Sequence, residues 1–286
     1  MATILTCTDG SLYSSSIYRH AGWAASRLGA SIHVLHVIER HDQPARRDLS
    51  GSIGFDASDE LLEELTQLDE SHARVARLRG QAILDDAVKH LGISGVGDTW
   101  EVKTTQRHGS LVETLDEFEK DAAMVVIGKR GEHADFSSGH LGSNLERVVR
   151  SARIPVLVAA REFKQPGRFL VAFDGGPSSL KAVGHMATSP LLRGLECHLV
   201  AVGKPESNLS RALEEAATAL RGAGFEVTAE LLQGDVEEAI AGQVEKRGIG
   251  LLVMGAYGHS RVRQFILGST TTTLLRTCHV PVLLFR

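Results

Sequence analysis

Cysteine is scarce in this 286-residue chain: Cys7, Cys197 and Cys278 are the three, and none sits in a C-x-x-C pair. An odd, scattered set argues against a disulfide framework or a cysteine-rich zinc site and fits a reducing, cytoplasmic setting. A large excess of charge is missing too. The formal net charge is -4, which gives no general attraction to nucleic acid or to an anionic membrane. Long apolar runs are absent: the stretch 122–127 has the length of a buried strand and is far too short to span a bilayer. The opening MATILTCTDG has no basic region followed by an apolar stretch, so no signal peptide is expected. There is no Gly-x4-Gly-Lys-(Ser/Thr) loop, no Ser/His/Asp or Cys/His arrangement of recognisable spacing, and no acidic pair dedicated to magnesium.

What is present is a repeat. The apolar run 4–8 ends in Asp9-Gly10, and the run 169–173 ends in Asp174-Gly175. Met124-Val125-Val126-Ile127-Gly128 is matched by Leu251-Leu252-Val253-Met254-Gly255, and Pro155-Val156-Leu157-Val158 by Pro281-Val282-Leu283-Leu284. Three landmarks in one order argue for duplication, and the length suits two ordinary domains. The expected domains are 1–160, with a polar loop insertion at 39–58, and 168–286, joined by a linker over 161–167.

Within each half, apolar runs alternate with helical spacing. In the first, strands are expected over 2–8, 31–38, 99–104, 122–127 and 155–159. Helices are expected over 11–28, from Leu61 towards Leu91, around Leu111, Leu115 and Phe118, and over 144–150. In the second, strands fall at 168–173, 195–202, 225–232, 250–254 and 280–285, and helices at 178–192, 207–221, 236–246 and 269–277. Apolar strands joined through helices imply a parallel sheet covered on both faces, so each half reads as a five-stranded α/β sandwich. The last strands, 155–159 and 281–285, are sheet edges apolar enough to need cover. The loop at 39–58 reads as a lid or partner-contact segment over the first crevice, or as a plain surface loop.

Open α/β sheets hold ligands beyond the carboxyl ends of their strands. The sharpest signal there is Gly255-x2-Gly258-x9-Gly268-Ser269-Thr270. Gly255 would let a ligand approach the strand end, Gly258 turns the loop, and Gly268 opens a helix whose unpaired N–H groups and positive dipole end suit phosphate. Arg261 and Arg263 lie between the glycines with no acid. A tight strand-to-helix connection without a ligand is the alternative. Elsewhere, His33 and His36 fall on opposite strand faces and cannot easily share a metal. Asp116-Glu117 and Glu237-Glu238 read as solvated helix faces, and Cys7 reads as core packing.

At these residues the chain resembles the universal stress protein family, whose Gly-x2-Gly-x9-Gly-(Ser/Thr) signature is matched by Gly255, Gly258, Gly268 and Ser269. The likeness spans nearly the whole chain, twice; single-domain members of that family pair through the last strand, so it implies that the two halves meet there as an internal pseudo-dimer and leaves a homodimer open. It implies Rossmann-like domains similar to the adenine-nucleotide alpha-hydrolase fold, and a bound adenine nucleotide such as ATP, with or without magnesium. By position, Asp174 and Val202 would hold the adenosine part, and Ala172 and Met254 would line the base. Gly255 and Gly258 would approach the ribose and first phosphate; Gly268, Ser269 and Thr270 would hold the outer phosphates. Arg261 would stabilise charge on a transferring phosphate. The first-half counterparts are Asp9, Val37, Gly128, Gly131, Gly142, Ser143 and Asn144.

The first half departs from the signature. Its spacer from Glu132 to Leu141 is one residue too long, and Lys129 and Arg130 are offset by Glu132 and Asp135. The second half is therefore expected to bind the nucleotide more tightly. Three functions remain open: a nucleotide-binding stress-response regulator without efficient catalysis, a slow ATPase, and an interaction module independent of nucleotide.

Overall fold

In the computed structural model, which describes residues 2–39, 55–93, 100–129, 141–205, 208–256 and 268–286, both halves repeat one β/α pattern. The first runs β1 (Thr3–Cys7), α1 (Ser14–Leu28), β2 (Ser31–Ile38), α2 (Phe55–Ile93), β3 (Val102–His108), α3 (Leu111–Phe118), β4 (Ala122–Gly128), α4 (Ser143–Ser151) and β5 (Val156–Ala159). The second runs β6 (Arg168–Ala172), α5 (Pro177–Thr188), β7 (Glu196–Val202), α6 (Asn208–Gly222), β8 (Val227–Leu232), α7 (Val236–Lys246), β9 (Leu251–Gly255), α8 (Ser269–Thr277) and β10 (Val282–Phe285).

All ten strands form one sheet in the order β3-β2-β1-β4-β5-β10-β9-β6-β7-β8. Each half is parallel throughout, and the centre is the antiparallel pair of β5 with β10, Leu157 opposite Leu283. The two apolar edges thus cover each other. Val156, Leu157, Val158, Val282, Leu283 and Leu284 are all buried, which removes the unpaired edges that each half alone would expose.

Alternation along the strands feeds two cores. Ile4, Val34, Val126, Phe169 and Val253 point to the face covered by α1, α2, α5 and α6. Leu5, Leu35, Val125, Leu170 and Leu252 point to the face covered by α3, α4, α7 and α8. Both clusters run across both halves. The halves are also tied by helix C-termini, whose free carbonyls carry partial negative charge. Lys129 Nζ donates to the Cys278 and Val280 carbonyls just past α8. Arg286 Nη1 donates to the Ser151 carbonyl and Lys181 Nζ to that of Arg153, at the end of α4.

Three expectations need correction. The strand expected at 99–104 lies at Val102–His108. It is a sheet edge whose Lys103, Thr104, Arg107 and His108 are exposed, so no apolar run marks it. The helix expected to reach 192 stops at Thr188, because Pro190 disfavours helical backbone at Ser189, which has φ -84° and ψ 138°. Third, Phe55 to Ser58, expected as loop, already belong to α2. The inserted sequence lengthens that helix to 39 residues against 15 in α6. The rest of the insertion, 40–54, lies outside the described residues, so the lid reading has no structural counterpart here.

Candidate functional site

In both halves the first strand ends in an Asp-Gly turn. Gly10 has φ 76° and Gly175 φ 73°, a conformation that costs other residues steric strain. The aspartates are locked differently. Asp9 Oδ1 accepts the Ser11 N–H at 2.9 Å. Asp174 Oδ1 accepts the Gly176 N–H at 2.8 Å and the Ser179 hydroxyl at 2.6 Å. Ser14 stands where Ser179 stands in the second half, but it bonds Thr8 Oγ1 at 3.0 Å, in a cluster that also holds the Tyr18 hydroxyl at 2.9 Å. His36 Nδ1 donates to the Thr8 carbonyl at 2.9 Å. His33 turns the other way, with Nε2 2.8 Å from Thr105 Oγ1 and its ring against Phe118. The histidines therefore do not share a ligand. Cys7 is buried, and burial pushes its thiol up to about 12, so it packs rather than reacts.

Five of the seven first-half candidates, Asp9, Val37, Gly128, Gly142 and Asn144, border one cleft of about 550 Å³ of empty space, part of it open to solvent. It lies beyond the carboxyl ends of β1, β2 and β4, and Leu111, Leu145 and Ile17 form apolar wall. Gly131 and the side chain of Ser143 fall outside the described residues. In the second half Ala172, Val202, Gly255, Gly268 and Thr270 are half-buried, Met254 is buried, and Asp174 and Ser269 are exposed. Gly258, Arg261 and Arg263 lie outside the described residues.

The loop ends match between halves. Gly142 N donates to the Lys129 carbonyl at 3.3 Å, and Gly268 N to the Ala256 carbonyl at 3.4 Å. Gly142 and Gly268 are the N-caps of α4 and α8, with φ -60° and -56°, and neither donates a side-chain cap to its helix. The two loops therefore end alike although the first spacer is one residue longer. Thr271, which the sequence reading missed, ties the first turn of α8 to β9 by donating to the Gly255 carbonyl at 3.3 Å. Its first-half equivalent is the buried Leu145.

One expectation about this region changes: counting Lys129 among the charges of the first loop is corrected, since its ammonium is aimed across the centre of the molecule at the end of α8. The bare backbone of Gly255 has a packing role beside the one expected of it: a Cβ there would meet Ser178 Cβ at 2.8 Å and Ser179 N at 3.3 Å.

A second missed pair is Glu39 and Lys204. Each follows the second strand of its half two residues after the matched valines, Val37 and Val202. Glu39 lines the first cleft. Position-by-position comparison of the two halves would have revealed this reversal of charge. A further acid, Glu146, lies in the first turn of α4, whereas the first turn of α8 has none.

Comparison with known proteins agrees with this architecture. The model of the universal stress protein family matches twice, over residues 1–160 and 166–286. Universal stress protein Slr1230 of Synechocystis sp. is 40% identical over 291 residues, covering 100% of both chains. A universal stress protein of Mycolicibacterium smegmatis is 27% identical over 99% of this chain and 96% of its own. The crystal structure of a universal stress protein from Archaeoglobus fulgidus superposes with a TM-score of 0.72 at 20% identity, covering 99% of this chain and 98% of that one. This chain belongs to the universal stress protein family and carries its domain twice in tandem.

Proposed function

We infer that the protein is an adenine-nucleotide-binding regulator of the stress response, without efficient turnover, and that its second half is the tighter site for ATP. One observation carries the reading. The Gly268-to-Ala256 bond holds the N-terminus of α8 against the end of β9, and that N-terminus has no side-chain cap and no acid in its first turn. Free N–H groups and a positive dipole end beside an apolar strand end suit a phosphate chain attached to a flat apolar base. Asp174, held by two hydrogen bonds, is oriented to accept from a ribose hydroxyl. The first cleft adds Glu39 to its wall and, in the first turn of α4, Glu146; in the second half Lys204 stands where Glu39 does in the first, and the first turn of α8 has no acid. The two added acids oppose a polyphosphate.

Magnesium, if present, would arrive with the phosphates: among the described residues no group of three or more His, Cys, Asp and Glu is placed to hold a metal ion. The test is equilibrium binding of ATP followed by steady-state phosphate release. Binding with slow release supports the reading. Absence of binding leaves the interaction module. Turnover on the order of ten per second would mean that a catalytic group had been overlooked.

A further inference from the structure

Among the described residues, helix α2 is buried in its C-terminal part. Gly80, Leu84, Ala87 and Leu91 are buried against the sheet and α1. Ahead of Gly80 every described side chain is exposed except the half-buried Ala76. Yet this overhang is not polar all round. Leu65 is 48% exposed, Leu68 51%, Val75 64% and Leu78 65%. With Glu64, Ser71, His72 and Arg79 they occupy one face, since residues three, four and seven apart share a side of a helix. The face runs from 64 to 79, about 23 Å at a rise of about 1.5 Å per residue. Among the described residues little packs over these four apolar side chains.

We propose that this face is the contact surface for a second copy of the same chain, which docks its own α2 antiparallel across a two-fold axis between Ser71 and His72. The face is complementary to itself in that register. Leu65 falls opposite Leu78 of the second copy, Leu68 opposite Val75, and Glu64 opposite Arg79, and symmetry repeats each pair. Charge sets the orientation. Residues 55–70 contain seven acids and no base, whereas 71–79 contain Arg74, Arg77 and Arg79 and no acid. In this register the basic stretch 71–79 lies opposite 64–72, which holds Glu64, Asp69 and Glu70 and no Lys or Arg, whereas parallel docking would set like against like. One helix pair buries less than a standard interface, so the dimer is reversible and concentration-dependent. The β5–β10 seam plays no part in it, because each of those strands is already paired on both sides.

Sedimentation velocity across a concentration series, from about one to some hundreds of micromolar, tests this. The wild type should pass from monomer to dimer. Leu65→Asp with Leu68→Asp should stay monomeric at unchanged helix content. Glu64→Arg and Arg79→Glu should each weaken the dimer tenfold or more, and the two together should restore it. Restoration is specific to the antiparallel register and does not depend on any single variant folding well. A wild type that is monomeric throughout overturns the proposal. So does a dimer indifferent to Leu65 and Leu68, or a double charge swap that fails to recover.

Discussion

The Ser179 hydroxyl donates to Asp174 Oδ1 at 2.6 Å, while the equivalent Ser14 bonds Thr8 Oγ1 at 3.0 Å and Asp9 Oδ1 accepts the Ser11 N–H at 2.9 Å. The same small side chain at the same place in the repeat thus serves a candidate ligand-binding carboxylate in the second half and a buried hydroxyl cluster in the first. Ser179→Ala should weaken ATP binding by roughly three- to tenfold, about the net worth of one ordinary hydrogen bond, because the serine acts by orienting Asp174 and not by touching the nucleotide. Ser14→Ala should leave affinity unchanged. Equal effects on affinity from the two variants would contradict this difference.

Glu39 and Lys204 give the electrostatic counterpart. Glu39→Lys removes an acid from the rim of the first cleft and supplies a cation, so ATP should bind there more tightly. Lys204→Glu should weaken the second site. Both effects should shrink as salt rises, since exposed charges are screened over about 8–10 Å. Binding isotherms at low and high salt check this; affinity indifferent to both changes would show that neither residue faces the nucleotide.

Gly255→Ala should destabilise the fold by about 1–3 kcal/mol, because the new methyl would stand within 2.8 Å of Ser178 Cβ. Adding Ser178→Gly should recover part of that loss. Urea unfolding of the single and double variants measures it. A stable Gly255→Ala that nonetheless loses ATP would instead favour a role for the bare backbone in ligand approach.

Low pH should act through His20. Its ring is buried and Nδ1 donates to the Ser16 carbonyl at 2.7 Å. Burial, against that bond, lowers it from 6.5 to about 4. Above about pH 6.5 the imidazole is neutral in folded and unfolded chains alike. Between 6.5 and about 4 the unfolded chain takes up a proton that the folded one refuses, so stability falls as pH falls, by on the order of 3 kcal/mol in all. Below that both forms are charged and the loss is complete. His33, His185 and His198 are lowered too, burial first, and add in the same direction. His20→Phe should flatten the fall in unfolding free energy across this window; an unchanged slope would rule His20 out as its source.

Strands buried on both faces were readable from their mainly apolar runs, and β2 lies where the sequence places it; α7 and α8 lie where their helical spacing places them. Edge strand β3 was misplaced because half of it meets water. The candidate cleft was legible through Asp-Gly turns and glycine spacing, which are local backbone signals. Its walls were not. Leu111, Leu145 and Thr271 reach the site through the packing of separate helices. The diversion of Lys129 depends on the meeting of β5 with β10, a relation between residues about 150 apart that no local pattern carries. Likewise the overhang of α2 follows from where the sheet ends, not from its own sequence.

The central claim is that the second half holds ATP more tightly than the first, and calorimetric titration of the wild type, Gly268→Val and Gly142→Val tests it most directly. Both glycines have φ near -60° and ψ near 140°, a region open to valine, so neither change strains the backbone and each acts by filling space at a helix N-terminus. The wild type should show a tighter site that Gly268→Val abolishes and Gly142→Val leaves in place. A tighter site lost in Gly142→Val and kept in Gly268→Val would reverse the assignment of the halves, and no heat of binding in the wild type would contradict the account at its root.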